Sequence, residues 1–178
     1  MSGAILALDL ATRTGWAILT DGGRIHSGTT SFALRKHEGA GQLYMKFRNL
    51  LLFLKQANPS LSRIVYERVS GPTRSSPQIY CGLLAMLEVF GEQHQISYDG
   101  IYVMTVKKAF CGSGRATKED VIAQCRLMGF KPEDDNEADA IALLHIATGN
   151  APVLTPPPLP KRAAKSLKAA GSLPAQPF

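Results

Sequence analysis

The sequence predicts an α/β domain built on a mixed five-stranded sheet with flanking helices. Two observations predict it. Up to Ser31 the chain has short apolar runs joined by turn signals, which is typical of an antiparallel meander of three strands. Beyond Ser31, segments with helical periodicity alternate with short strands, which is typical of parallel strands joined by crossover helices.

The meander is read from its apolar runs and its turn residues. Residues 6–10 form a buried strand that contains Asp9, and residues 13–15 form a turn. Residues 16–19 return as the second strand. Asp21, Gly22 and Gly23 are a hairpin signal, so the third strand follows over residues 24–31.

The second half is read from its apolar periodicity. Helices are predicted over residues 41–56, 77–93, 118–128 and 136–148. In the first of these the apolar residues share one face, namely Leu43, Phe47, Leu50, Leu51 and Leu54. Strands are predicted over residues 62–67 and 101–104, which completes five strands. This arrangement puts Asp9 on a central strand, Glu67 on a parallel neighbour and Asp139 on a helix packed across the sheet.

Composition divides the chain into a folded domain over residues 1–150 and a Pro-rich basic tail over residues 151–178. The net charge is +6, and the first 150 residues contribute only +2, with 16 basic and 14 acidic residues. The tail is predicted to be disordered, because its proline run cannot join a core and its short Ala-rich segment is too weak a helix alone. Its basic residues, which favour a polyanionic partner, are Lys161, Arg162, Lys165 and Lys168.

The cysteines and the N-terminus predict a reducing, cytoplasmic location. Cys81, Cys111 and Cys125 are odd in number and form no close pair, which argues against a disulfide framework or a zinc site. Asp9 and Arg13 interrupt the first apolar stretch, and no basic segment precedes it, so a signal peptide is not expected. No segment approaches the length of a membrane span.

Three carboxylates stand where apolar runs end or begin. Asp9 closes the first strand, Glu67 closes the strand at residues 62–67, and Asp139 lies at the start of an apolar helix. Each alone is an ordinary strand-end or capping residue. Together they predict a site for Mg²⁺ or Mn²⁺, because buried carboxylates need compensation and these ions prefer oxygen ligands.

These segments, taken in order, resemble the motifs of RuvC-type Holliday junction resolvases. Residues 6–10 followed by 14–17 resemble the first motif, and residues 65–69, with Glu67, resemble the second. Residues 106–108, the Gly112-Ser113-Gly114 segment and Lys118 resemble the lysine-containing segment. Residues 136–142 resemble the final acidic helix. The resemblance runs from about residue 4 to residue 148.

The resemblance implies a ribonuclease H-like fold, a homodimer, and metal-dependent nicking of four-way DNA junctions in symmetrically related strands. Asp9 would bridge two Mg²⁺ or Mn²⁺ ions, and Glu67 and Asp139 would each complete one coordination sphere. Lys107 and Lys118 would lie near the scissile phosphate and contact DNA. Such an enzyme would act in DNA recombination and repair, near the nucleoid of a bacterial or phage-infected cell, beside recombination or replication proteins.

The chain departs from the family pattern at two points. The usual acid three positions before the final aspartate is Asn136, so the fourth metal ligand is either Asn136 or Asp135, which lies one residue earlier. The usual aromatic residue after the glutamate strand is also missing. Arg74 and Tyr80 are candidates for that DNA contact, and the cleavage sequence preference stays open.

Three other functions compete with a junction resolvase. A nucleotide-binding domain of the actin or sugar-kinase type also has an aspartate at the end of its first strand, but needs a second domain that 178 residues do not provide. Another structure-selective nuclease on the same fold would cut flaps, forks or RNA. A non-catalytic junction-binding protein is the third, and the retention of Asp9, Glu67 and Asp139 together argues against it.

Overall fold

The computed structural model describes residues 3–68 and 77–149 of the chain. Its strands are β1 (Ala4–Asp9), β2 (Arg13–Leu19), β3 (Ile25–Ser31), β4 (Leu61–Arg68) and β5 (Ser97–Tyr102). They form one sheet in the order β3-β2-β1-β4-β5. The first three strands pair antiparallel, while β4 runs parallel to β1 and β5 parallel to β4. The predicted mixed five-stranded sheet, with β1 at its centre, is confirmed.

In the part of the chain that the structure describes, five helices cover the two faces of this sheet. They are α1 (Gly41–Ala57), α2 (Pro77–His94), α3 (Val103–Cys111), α4 (Lys118–Leu127) and α5 (Asp135–Ala147). Because strand side chains alternate, Leu6 and Leu8 pack against α1 and α2, whereas Ala7 and Val65 pack against the other three helices. Four of the helices match the predicted ranges to within one residue at each end. Within the described residues, no helix has the length and apolar character needed to cross a membrane.

The predicted turn at residues 13–15 is wrong, because these residues belong to β2. Gly15 pairs with Asp9 on one side and with Thr29 on the other. The chain instead turns at residues 10–12, where the hydroxyl of Thr14 donates a hydrogen bond of 2.7 Å to the carbonyl of Ala11. Ladder pairing on both sides outweighs the local turn preference of a Thr-Gly pair.

The predicted strand at residues 101–104 is misplaced, and helix α3 was not predicted at all. Strand β5 begins at Ser97 and ends at Tyr102, and the chain enters α3 at the next residue. Asp99 and Gly100 interrupt the β pattern, which hides an edge strand from a composition argument. Helix α3 is short, and its buried residues are Val106 and Phe110, one turn apart.

Candidate active site

Three carboxylates lie on the face of the sheet that carries α5. Asp9 ends β1, and Glu67 is one position beyond the Leu8–Tyr66 pair that joins β1 to β4. Parallel neighbours of this kind are about 4.8 Å apart, so Asp9 and Glu67 leave the sheet side by side. Asp139 comes from α5, which packs on this face. All three side chains are partly buried.

A glycine in β2 sets the distance between α5 and the sheet. A Cβ atom added to Gly15 would lie 1.8 Å from the carbonyl oxygen of Asn136, in the first turn of α5. The helix therefore rests on the bare backbone of β2, next to Asp9, with which Gly15 is paired. Asp139 follows Asn136 by about one helical turn, which brings its carboxylate to the same edge as Asp9 and Glu67.

The pKa values of the three acids show that they share one environment. Burial raises the pKa of Asp9 well above its usual range, and the charges of Glu67 and Asp139 raise it further. Burial and then the charge of Asp139 raise the pKa of Glu67 to about 7. Burial raises the pKa of Asp139 to about 6, although Lys107 and Lys118 oppose the shift. The negative charge at this edge is thus only partly compensated.

These residues fit a hard divalent cation by their chemistry. They supply carboxylate oxygens, and their mutual repulsion is the cost that a cation would remove. Among residues 3–68 and 77–149, however, no group of three or more His, Cys, Asp or Glu side chains has an arrangement that could hold a metal ion.

Two neighbouring acids in the same sequence cluster have a structural task instead. Asp134 caps α5 by accepting a hydrogen bond from the backbone N–H of Glu137, and it also accepts one of 2.6 Å from Thr29 and one of 2.7 Å from Arg13. Glu137 is only 6 % exposed and accepts a hydrogen bond of 2.7 Å from Ser27. Both acids therefore fix the start of α5 against β2 and β3.

The predicted lysines lie within electrostatic reach of the acids. Lys118, in the first turn of α4, forms an ion pair with Asp135, and this contact lowers the pKa of Asp135. The ammonium of Lys107 donates a hydrogen bond of 2.8 Å to the carbonyl of Ala116, and its charge lowers the pKa values of Glu67 and Asp139. Asp135 raises the pKa values of Asp9 and Asp139, so it too lies near the cluster.

The other predicted site residues are placed differently. The hydroxyl of Tyr80 donates a hydrogen bond of 3.1 Å to the carbonyl of Glu67, and its ring packs against the core, so Tyr80 supports the end of β4. Asn136 is half-buried at the contact with Gly15. Arg74 lies outside the described residues. So do the tail cations, which are Lys161, Arg162, Lys165 and Lys168.

Sequence reasoning missed the residues that position Asp139. Gly15 was assigned to a turn, although a glycine inside a strand is itself a signal of a close backbone approach. Ser27 and Thr29 carried no signal, because their partners are 110 and 105 residues away in the chain.

The strand order and the flanking helices are those of a ribonuclease H-like fold. Two solved structures of RuvC from Thermus thermophilus share it. The free protein is 19% identical with a TM-score of 0.64, and a complex with a Holliday junction substrate is 18% identical with a TM-score of 0.66. Each match covers 85% of this chain and 99% of the other. No protein-family profile and no curated protein sequence matches the chain.

Proposed function

We propose that this chain is a metal-dependent DNA endonuclease that resolves four-way junctions by paired nicks. The observation that carries the proposal is the convergence of Asp9, Glu67 and Asp139 at one edge of a RuvC-like sheet. The Thermus RuvC of similar fold has been solved with a Holliday junction. A nuclease needs such a cluster, whereas a binding protein gains nothing from uncompensated buried charge.

Each residue of the site has a role in this proposal. Asp9, Glu67 and Asp139 would hold Mg²⁺ or Mn²⁺, which supplies a water of lowered pKa and stabilises charge on the leaving oxygen. Lys107 and Lys118 would orient the scissile phosphate and stabilise the negative charge that develops on it. Lys118 would exchange its contact with Asp135 for the phosphate.

The fourth ligand can be decided by two single substitutions. Asp135→Asn should reduce nicking by about ten- to a hundredfold, while Asn136→Ala should have a smaller effect, because only Asp135 adds negative charge near Asp9 and Asp139. The measurement is the rate of junction nicking at saturating Mg²⁺. The reverse order would identify Asn136 as the ligand, and two small effects would mean that three carboxylates suffice.

A homodimer would provide the two sites that paired nicks require. The outer face of α2 exposes an apolar stripe at a spacing of four residues, formed by Cys81, Ala85 and Val89. Val89 is 51 % exposed, which is unusual for a monomer surface when neighbours along the helix are also apolar. This stripe supports pairing through α2.

We expect sedimentation to show that the wild-type protein is a dimer. Val89→Glu should convert it to a monomer, and this monomer should no longer nick both strands of a junction in one encounter. Leu127→Glu is the matched control, because Leu127 is 83 % exposed on α4, away from α2. A wild-type protein that stays monomeric both free and on DNA would contradict paired nicking.

The proposed DNA contacts also include Arg74 and the tail. The division into a domain over residues 1–150 and a tail over residues 151–178 stays a prediction, as do DNA contacts by Arg74 and by the tail cations. The four tail cations would contribute up to about four times 0.9 to the salt dependence of binding.

The test of the function is incubation of the protein with a synthetic four-way junction, beside duplex, flap, fork and single-strand controls, in Mg²⁺, Mn²⁺ or chelator. Symmetrically placed nicks in the junction, absent with chelator, are expected. Preferred cutting of flaps or forks would identify another structure-selective nuclease. Junction binding without any incision would identify a non-catalytic binder.

A further inference from the structure

The loop between β3 and α1 presents three consecutive basic residues to solvent. Arg35, Lys36 and His37 are all exposed. The one acid of the loop is Glu38, and its carboxylate is taken by Lys46 of α1 at 2.6 Å. In the described part of the chain, no ion pair involves the side chains of Arg35 or Lys36. The loop therefore offers two fixed positive charges and an imidazole.

A buried lysine holds this loop in one shape. Lys46 is 8 % exposed, and its ammonium donates to Glu38 and, at 2.9 Å, to the carbonyl of Ala33. The same oxygen of Glu38 accepts a hydrogen bond of 2.8 Å from the backbone N–H of Arg35. Phe32 is fully buried and meets the ring of Phe47 edge-on. The basic side chains are thus carried by a built loop rather than by a loose connection.

The loop leaves the sheet at the edge that carries the catalytic acids. The backbone N–H of Phe32 donates a hydrogen bond of 2.8 Å to the carbonyl of Thr12, in the segment that follows Asp9. Strand β3 lies two strands from β1, so the start of the loop is about 10 Å from the end of β1. That distance corresponds to roughly three nucleotides of one DNA strand.

Arg13 lies between this loop and Asp9, but its side chain already has an acidic partner. Its guanidinium forms an ion pair of 2.7 Å with Asp134, which caps α5. On the β3 side of the same edge, Arg35 and Lys36 are exposed cations that form no ion pair within the described residues. A DNA strand whose scissile phosphate lies at the acids would pass over this edge of the sheet in one of two directions, and one of them leads to the loop.

We propose that Arg35 and Lys36 form a second DNA contact, which binds backbone phosphates of the arm that leaves the active site on the β3 side. The proposal rests on the proposed action on DNA and adds the residues that hold the flanking arm. Phosphate contacts of this kind fix the position of the DNA without reading its sequence. They would therefore serve any junction sequence equally.

The test compares two double variants that each remove two positive charges. Arg35→Ala with Lys36→Ala changes the loop. Arg24→Ala with Arg126→Ala is the control, because Arg24 lies at the β2–β3 turn at the opposite edge and Arg126 in the last turn of α4, both exposed. Junction and duplex binding is measured by fluorescence anisotropy in chelator over a series of KCl concentrations.

The loop variant should bind about tenfold more weakly and reduce the salt slope by about 1.8, which is two phosphate contacts at about 0.9 each. The control should keep the wild-type slope. An unchanged loop variant, or an equal loss in both variants, would overturn the proposal. Because binding is measured without cleavage, a wild-type protein that binds but never cuts would refute the nuclease and leave the loop contact standing.

A single substitution distinguishes DNA binding that depends on the shape of the loop from binding by general electrostatic attraction. Glu38→Gln raises the net charge by one, so general electrostatic attraction predicts tighter DNA binding. The same change weakens the contact of Lys46 that holds the loop, so the built site predicts weaker binding. Weaker binding by a variant that is still folded at the assay temperature would support the proposal, and equal or tighter binding would contradict it.

Discussion

Nicking of a four-way junction should fall by about a thousandfold or more in each of Asp9→Asn, Glu67→Gln and Asp139→Asn, which corresponds to roughly 4 kcal/mol of transition-state stabilisation. An amide keeps the size and shape of the side chain but loses the charge that would hold a cation. Junction binding should persist, because phosphate contacts come from basic residues elsewhere. The measurements are nicking rate and gel-shift affinity for each variant.

Glu119→Gln is the matched control for these substitutions. Glu119 lies beside Lys118 in the first turn of α4, but it is fully on the outer surface. Its loss should leave nicking within about twofold, as for an ordinary surface residue. Near wild-type nicking by a variant of Asp9, Glu67 or Asp139 would remove that residue from the site.

Stability gives an independent check that the Glu67 variant is folded. The pKa of Glu67 is raised from 4.5 to about 7, so the folded chain binds more protons than the unfolded chain between these values. The free energy of unfolding therefore decreases as the pH rises from about 4.5 to 7. The total loss is on the order of 3 kcal/mol, and it is complete above pH 7. In chelator at pH 8, Glu67→Gln should melt roughly 5–10 °C above the wild type, and Mg²⁺ should narrow the gap by stabilising only the wild type. A variant that melts lower would contradict this account of the acids.

The strand-end positions of Asp9 and Glu67 were predictable because the end of a strand is a local property. Apolar runs give the strands, and parallel neighbours bring their carboxyl ends together. It was not predictable which acids near the start of α5 anchor the helix and which belong to the site. Asp134, Asp135, Glu137 and Asp139 read as one cluster in sequence, and only distant partners such as Thr29, Ser27 and Lys118 divide them into anchors and site residues.

The prediction from sequence also failed for two elements near the edge of the sheet, β5 and α3. Asp99 and Gly100 interrupt the β pattern of β5, and pairing with β4 from Ser97 to Tyr102 makes the whole segment a strand. Helix α3 then carries Lys107 to the acids, and the helical spacing of its buried residues Val106 and Phe110 is a local signal that the sequence prediction missed. Long-range pairing therefore accounts for β5 but not for α3.

Gly15→Ala should damage both the fold and the activity, because a methyl group has no room between β2 and α5. The added Cβ would lie 1.8 Å from the carbonyl oxygen of Asn136 and 3.0 Å from the backbone nitrogen of Glu137. These are backbone atoms, so no side chain can rotate away, and α5 itself has to move. The start of that helix is fixed by Asp134 and Glu137, so the shift strains their contacts to β2 and β3.

The expected cost is roughly 3 kcal/mol in the free energy of unfolding, the upper range for overpacking a tight contact. Nicking should fall by about a hundredfold even at temperatures where the variant is folded, because a displacement near 1 Å moves Asp139 away from Asp9 and Glu67. Gly22→Ala is the control, since its Cβ would meet nothing closer than Thr20 Oγ1 at 3.8 Å. Thermal melting and nicking are measured for both variants. If Gly15→Ala kept the wild-type melting temperature and full activity, α5 would be free to slide over β2, and the close approach at Gly15 would not be what places Asp139.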